Sequence, residues 1–169
     1  MTSTSEQTAE ANFLWGHLVA RGLSDLGITT IFFSPGSRST PLIIGCEKEE
    51  RLSCFPALDE RTAAFLALGH AKRTNIPTAV ICTSGSALTH WFPAVTEASY
   101  SGIPLLLLSA DRPPELQECG AGQTINQINL FGSFVREFYQ SPLPCLEQEQ
   151  IHNLQAILQT AHSKTIGPN

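Results

Sequence analysis

The chain has 169 residues, a mass of 18.3 kDa and a hydrophobic content of 42%, which predict one globular domain with a substantial core. Its net charge of −5 comes without a recurring basic patch, so nucleic acid and anionic membranes are not expected as partners. The polar N-terminus and the lack of a long apolar run argue against a signal peptide or a membrane anchor. The five cysteines are far apart, and reduced thiols in a cytoplasmic protein are expected.

The first half of the chain alternates helical and extended patterns. A helix that stops at Gly27 is followed by predicted strands at residues 29–33 and 53–56. The helix between these two strands carries Pro41 in its first turn, where proline is tolerated. Thr40 is placed to cap that helix.

A further helix is predicted over residues 60–73, and its Ala, Gly and Leu content indicates packing on both sides. Near-continuous apolar runs at residues 78–83 and 103–110 are typical of buried parallel strands. The helix between them, over residues 87–99, contains Pro93, so a kink or a break is expected there.

The C-terminal third is less regular. Residues 117–132 show little periodicity and are interpreted as a long functional loop that holds a short helix. A strand at 134–138 and a helix over 146–162 are predicted after it. Strands that recur every 20–30 residues, with helices between them, predict a doubly wound α/β domain with a mainly parallel sheet and helices on both faces.

Polar segments follow four of the predicted strands and should therefore share one edge of the sheet, where ligands of such folds bind. They begin at Ser34, Asp59, Ser84 and Asp111. The first of them contains Arg38, whose paired donors suit a carboxylate or a phosphate. An ordinary turn with a solvated arginine is the alternative.

Glu60 is the carboxylate of interest in this set. It either complements the dipole of the helix that it begins or, among Ala, Leu and Gly, is partly desolvated and exchanges a proton. Two roles are also open for Arg38 and Arg112. They are ion-pair partners of Asp59 or Glu115, or they receive a substrate with several carboxylates.

Taken together and in order, these segments resemble the N-terminal pyrimidine-binding domain of the 2-succinyl-5-enolpyruvyl-6-hydroxy-3-cyclohexene-1-carboxylate synthases. The motifs are SPGSRSTP at 34–41, DER at 59–61, LALG at 66–69, TSGSA at 83–87, ADRPPE at 110–115 and CGAGQ at 119–123. The resemblance covers nearly the whole chain. The TSG turn is shared more widely among thiamine diphosphate enzymes, and Ser86 stands where the family often has Thr.

The resemblance implies a function in menaquinone (vitamin K2) biosynthesis. Enzymes of this family use thiamine diphosphate to decarboxylate 2-oxoglutarate, and they add the resulting succinyl unit in a 1,4 manner to isochorismate. The resemblance also assigns roles to residues of this chain. Glu60 is implied as the catalytic group that hydrogen-bonds the aminopyrimidine ring of the cofactor. Cofactor-binding positions are implied at Pro35, Glu60, Thr83 and Gly85, and substrate-binding positions at Ser37, Arg38, Arg112 and Gln123.

The family binds the cofactor diphosphate and Mg2+ through a Gly-Asp-Gly motif, which is absent from this sequence. Residues 1–169 are thus expected to form the pyrimidine-binding domain of a longer enzyme, with no metal ligands and no turnover of their own. The family also implies a homo-oligomer, a dimer or a dimer of dimers. The alternatives are a thiamine diphosphate enzyme of the acetolactate synthase or 2-oxo acid decarboxylase type, and a non-catalytic module that binds a carboxylate.

Overall fold

The structure, a computed structural model, describes residues 4–167. Four parallel strands form its centre. The strands are β1 (Thr30–Phe33), β2 (Ser53–Pro56), β3 (Thr78–Cys82) and β4 (Leu105–Ser109). They lie in the order β2-β1-β3-β4, and each adjacent pair is parallel. The chain thus leaves β1 toward one side of the sheet, returns, and continues on the other side. The predicted doubly wound α/β fold is confirmed.

Helices cover both faces of this sheet. They are α1 (Thr4–Asp25), α2 (Thr40–Lys48), α3 (Glu60–Thr74), α4 (Ser86–Thr89), α5 (Phe92–Ser101) and α6 (Gln148–Ile166). Alternate strand residues supply two cores, because successive side chains of a strand point to opposite faces. Ile31 and Ile81 join the core beneath α1, α2 and α6, whereas Phe32 and Val80 join the core beneath α3, α4 and α5.

The start of α2 differs in detail from the prediction. Thr40 is the first residue of α2 rather than its cap, and the preceding Ser39 makes no side-chain cap bond. The hydroxyls of Ser39 and Thr40 instead donate to the carbonyl oxygen of Gly36, at 3.0 and 3.3 Å. These hydroxyls therefore brace the preceding loop, while Pro41 occupies the first turn as predicted.

The break at Pro93 is confirmed, because α4 ends at Thr89 and Pro93 lies in the first turn of α5. The expectation that α3 packs on both sides is wrong. Its alanine face is buried in the core, but Phe65 and Leu66 on the opposite face are each 46% exposed. Nothing within residues 4–167 covers that second face.

Two predictions for the irregular C-terminal third are also wrong. No helix forms within residues 117–131, which lie between 3₁₀ turns at Pro114–Leu116 and Gly132–Phe134. No strand forms at residues 134–138, because Phe134 packs edge-to-face against Phe92 of α5, with ring centroids 5.6 Å apart. The segment therefore packs on helices and does not extend the sheet.

All five cysteines are free thiols, with Cys46 and Cys82 buried and Cys119 exposed. Across residues 4–167, no helix combines the length and the apolar character that crossing a bilayer requires.

Candidate functional site at the carboxyl edge of the sheet

Backbone hydrogen bonds continue the strand pairing past the ends of the strands and hold the following loops together. The Ser34 N–H donates to the Ile81 carbonyl oxygen at 3.0 Å, and the Ala110 N–H donates to the Cys82 carbonyl oxygen at 3.1 Å. We call the loops at this edge, together with the first residue of the helix that follows Asp59, the rim, defined as residues 34–39, 57–60, 83–85 and 110–113. The predicted clustering of the polar segments at one edge is therefore observed.

The gap between β1 and β3 lies at the point where the order of the strands reverses, which is where open α/β sheets bind ligands. Gly36 approaches Thr83 across this gap so closely that a Cβ at Gly36 would stand 2.8 Å from Thr83 Oγ1. Ser34, which begins the first polar segment but received no role of its own from the sequence, is fully buried here, and its hydroxyl has no hydrogen-bond partner within the described residues. A buried hydroxyl without a partner is costly and marks a place for a ligand group.

Asp59 begins α3 by capping it. Its carboxylate accepts the Thr62 N–H at 3.1 Å and an Arg61 Nη2–H at 3.3 Å. The Thr62 N–H, and secondly Arg61, lower the pKa of Asp59. Asp59 therefore has a structural role with Arg61, and it forms no ion pair with Arg38 or Arg112 in the part of the chain that the structure describes.

Glu60 follows the cap and is half-buried. Burial, and secondly the negative charge of Glu60, raise the pKa of the Cys82 thiol, which places the Glu60 carboxylate near the carboxyl end of β3. Among residues 4–167 this carboxylate has no hydrogen-bond or ion-pair partner. It is thus available to a ligand at the rim.

The long loop after β4 returns to the rim at Gln123. The Ser84 hydroxyl donates to the Gln123 carbonyl oxygen at 3.1 Å, and a Cβ at Gly85 would lie 2.6 Å from that same oxygen. Gly85 has φ +80° and Gln123 has φ +57°, both in the left-handed region. Left-handed backbone at a non-glycine residue is held only where its surroundings require it, and it is enriched at functional sites.

Gln127 is a second residue that sequence reasoning missed. It is 6% exposed, and its Oε1 accepts the Gly85 N–H at 2.7 Å. Its Nε2 donates to the Ala110 carbonyl oxygen at 3.1 Å and to Ser109 Oγ at 3.3 Å. The signal in the sequence is weak, because one glutamine in a segment without periodicity predicts neither burial nor partners.

The two rim arginines are held differently. Arg112 donates from Nη2 to the Gly122 carbonyl oxygen at 3.0 Å, and its buried Nε has no partner within the described residues. Arg38 is exposed on the 3₁₀ turn Ser37–Ser39. Neither forms an ion pair with Glu115 in residues 4–167. The described contacts thus join Gly85 to Gln123, Arg112 to the neighbouring Gly122, and Thr83 to Gly36. Pro35, Ser37 and Arg38 lie exposed at the β1 end of the rim.

These residues fit an aminopyrimidine ring, which carries both hydrogen-bond donors and acceptors. Within residues 4–167 the half-buried Glu60 carboxylate has no partner, and it offers a group that complements the ring at the rim. They do not fit a divalent cation, because residues 4–167 contain no group of three His, Cys, Asp or Glu side chains placed to hold a metal ion.

Residues 15–130 match the family described as the thiamine pyrophosphate enzyme, N-terminal TPP binding domain. The chain belongs to this family. A solved benzoylformate decarboxylase from Polynucleobacter necessarius superposes on 89% of the chain with a TM-score of 0.74. The sequence identity there is 19%, and the match covers 27% of that protein, so this likeness shows the fold.

Within the family, the chain is similar to proteins named 2-succinyl-5-enolpyruvyl-6-hydroxy-3-cyclohexene-1-carboxylate synthase. It is 45% identical over 157 residues to the one from Crocosphaera subtropica, which is 93% of this chain and 27% of that protein. It is 49% identical over 145 residues to the one from Dechloromonas aromatica, which is 85% of this chain and 27% of that protein. The chain thus spans about a quarter of the length of these curated relatives, and the resemblance seen in the motifs is confirmed.

Proposed function

We propose that residues 1–169 are the pyrimidine-binding domain of a 2-succinyl-5-enolpyruvyl-6-hydroxy-3-cyclohexene-1-carboxylate synthase of menaquinone biosynthesis. The enzyme is a thiamine diphosphate-dependent transferase that takes 2-oxoglutarate and isochorismate as substrates. The observation that carries the proposal is the identity of 45% over 93% of the chain to a relative of that name. The placement of Glu60 and of the other motif residues at one rim supports it.

Bound thiamine diphosphate supplies a carbon centre that accepts the 2-oxo acid and stabilises the negative charge left by loss of CO2. Glu60 holds a proton against a ring nitrogen, for which its half-buried carboxylate, without a partner among residues 4–167, is suited. Pro35, Thr83 and Gly85 line the side of the ring pocket at the β1–β3 gap. Since Gly85 has no side chain, the backbone of Gln123 can close the pocket there.

The substrates of the proposed reaction carry several carboxylates, and the rim offers them two arginines. Arg38 is exposed at the end of β1, where its guanidinium is accessible to a carboxylate, with the Ser37 hydroxyl beside it. Within the described residues the Nε of Arg112 has no partner, and the exposed side chain of Gln123 supplies a neutral polar group. Contacts from these groups would orient a substrate for the reaction.

We assign Mg2+ and the diphosphate to another domain, because residues 4–167 hold no group of three His, Cys, Asp or Glu side chains placed to bind a metal ion. An exposed apolar surface beside Glu60 supports pairing with such a domain, in a homo-oligomer that is a dimer or a dimer of dimers. Leu58 is 92% exposed, and Phe65 and Leu66 border a shallow depression on α3. Apolar surface of this kind is typical of interaction sites. The free thiols agree with a cytoplasmic enzyme.

A domain exchange tests this function. Residues 1–169 replace the matching segment of the Crocosphaera subtropica relative, and product formation from 2-oxoglutarate and isochorismate is measured by mass spectrometry. The exchanged enzyme is expected to form the product, and the 169-residue chain alone is not. An exchanged enzyme that binds thiamine diphosphate but decarboxylates pyruvate or benzoylformate in place of 2-oxoglutarate would contradict the proposed substrates. It would favour the acetolactate synthase or decarboxylase alternative.

A further inference from the structure

Gln127 connects three pieces of backbone that are far apart in sequence. Its side-chain amide reaches from the long loop to Gly85, after β3, and to Ser109 and Ala110, at the end of β4. The residue is 6% exposed, so water does not replace these contacts. The amide thus uses both of its N–H donors and its oxygen inside the protein.

The orientation of this amide is determined by its partners. The Gly85 N–H can only donate and the Ala110 carbonyl can only accept, so the oxygen must face Gly85 and the nitrogen must face Ala110. An apolar side chain of the same size would leave a buried backbone donor and a buried backbone acceptor unpaired, which is costly. The position therefore requires both a donor and an acceptor.

The hydrogen bond from Gly85 to Gln127 matters for the site because Gly85 also packs against Gln123. Gly85 adopts φ +80° and ψ −141°, a conformation that holds its backbone against Gln123, and Ser84 donates to that same residue. Gln123 and Gln127 therefore attach one loop to the β3 turn at two points. Removing the Gln127 contact would leave the turn attached by Gln123 alone.

We infer that Gln127 is a positioning residue for the cofactor ring: its buried amide holds the Thr83–Gly85 turn against the end of β4 and so sets the wall of the ring pocket. The inference requires no contact between Gln127 and the ring. The inference rests on the proposed function only in that Thr83 and Gly85 line the ring pocket.

The first test uses the 169-residue chain and needs no ligand. Amide hydrogen exchange is measured by NMR for the wild-type chain and for Gln127→Leu. The Gly85 amide is expected to exchange at least about tenfold faster in the variant, because it loses its acceptor. Leu158→Ala, in the opposite core beneath α6, controls for general loss of stability. An unchanged Gly85 rate, or an equal rise in both variants, overturns the inference.

The second test uses the exchanged enzyme and the affinity for thiamine diphosphate. Gln127→Glu keeps the shape of the side chain. At low pH its neutral carboxyl donates to Ala110 and accepts from Gly85, as the amide does. As pH rises the buried carboxyl ionises and loses its donor, so the cofactor Kd is expected to rise about tenfold relative to wild type. Gln155→Glu, exposed on α6, is expected to show no such difference.

A Kd for Gln127→Glu that keeps a constant ratio to the wild-type value across the pH range contradicts a positioning role. The two proposals fail separately in these experiments. If the exchanged enzyme uses a different 2-oxo acid while Gln127→Glu shows the pH-dependent cofactor Kd, the proposed substrates are wrong and the positioning role stands. If 2-oxoglutarate is used and the pH-dependent difference is missing, the positioning role is wrong and the function stands.

Discussion

Gly36 lies directly against Thr83 across the β1–β3 gap, where a Cβ on Gly36 would stand 2.7 Å from Thr83 Cγ2. The Gly36 backbone is extended, with φ −176°, so it is this contact and not the conformation that excludes a side chain. Gly36→Ala is expected to lower the free energy of unfolding by about 1–3 kcal/mol, the usual cost of overpacking. Urea unfolding of the 169-residue chain measures the change.

Two further variants test the cause. Thr83→Gly removes the opposing side chain, and Gly36→Ala is expected to cost less in that background than in the wild type. Gly69→Ala places its methyl in open space on α3 and is expected to stabilise the chain by up to about 1 kcal/mol. An equal cost of Gly36→Ala in both backgrounds would show that the contact with Thr83 is not the reason.

Glu60→Gln is expected to reduce kcat of the exchanged enzyme by about 10²–10⁴-fold, the range for loss of a general acid–base group. The thermal unfolding midpoint of the 169-residue chain is expected to stay unchanged, since Glu60 makes no hydrogen bond within residues 4–167. Glu10→Gln, on the exposed face of α1, is the matched control. Full activity of Glu60→Gln would remove Glu60 from the mechanism.

Arg38→Ala is expected to raise KM for 2-oxoglutarate or isochorismate by about 10–100-fold, because a charged hydrogen bond to a carboxylate is lost. Arg38→Lys is expected to recover part of this, since it keeps the charge but not the paired donors. Steady-state kinetics of the exchanged enzyme measure the effect. Arg73→Ala, at an exposed position of α3, is the control. Unchanged KM values for both substrates in Arg38→Ala would contradict a carboxylate-binding role for Arg38.

Asp59 gives a pH dependence with a defined sign. Its folded pKa lies below the ordinary value of 3.8, because the Thr62 N–H and Arg61 favour the charged form. Its contribution to stability is therefore present above about pH 4 and is lost as pH falls through the lowered value. Thermal unfolding midpoints should fall in Asp59→Ala at neutral pH, and the difference from wild type should shrink in acid.

Asp59→Asn separates the cap from the charge. Asparagine is as good an N-cap as aspartate, so this variant should keep most of the stability but lose the acid-dependent part. If Asp59→Ala and wild type unfold at the same temperature at pH 7, the capping role is wrong.

The thiols of Cys54 on β2 and Cys46 on α2 interact with each other. A hydrogen bond with Cys46 lowers the pKa of Cys54, and the same bond, secondly with burial, raises the pKa of Cys46. Because the thiolate is the reactive form, Cys54 should be alkylated by iodoacetamide at a lower pH than Cys46. Peptide mass spectrometry measures both rates, and Cys46→Ala should slow Cys54 at neutral pH. Faster alkylation of Cys54 in Cys46→Ala would contradict the pairing.

The sequence predicted the four strands that form, although it also predicted a strand at 134–138 that does not. β3 and β4 were predictable because their apolar runs are near-continuous and are bounded by Gly, Pro or charged residues. It also predicted that Glu60, Thr83 and Arg112 lie at one edge, since parallel strands place their carboxyl ends together. The break at Pro93 followed from local chemistry, because proline does not continue a helix.

Local pattern failed where a residue had more than one option and its contacts in the fold selected the option that the sequence did not favour. Phe134 has the β-propensity of a strand residue, but the aromatic rings of α5 bind it. Thr40 has the chemistry of a cap, but its hydroxyl turns back to Gly36. Propensity describes one residue and its neighbours in sequence, whereas packing and hydrogen bonding in the fold decide between its options.

By itself, the sequence determined the fold class, the family and the set of rim residues, because hydrophobic periodicity and motif order are local properties of the chain. Only the tertiary structure decided that the Ser34 hydroxyl is buried, that Gln127 packs against the rim, and that one face of α3 stays uncovered within residues 4–167. Those facts depend on which backbone groups meet across β3, β4 and the long loop. Hydrogen-bond partners more than 40 residues apart leave no periodic trace in the sequence.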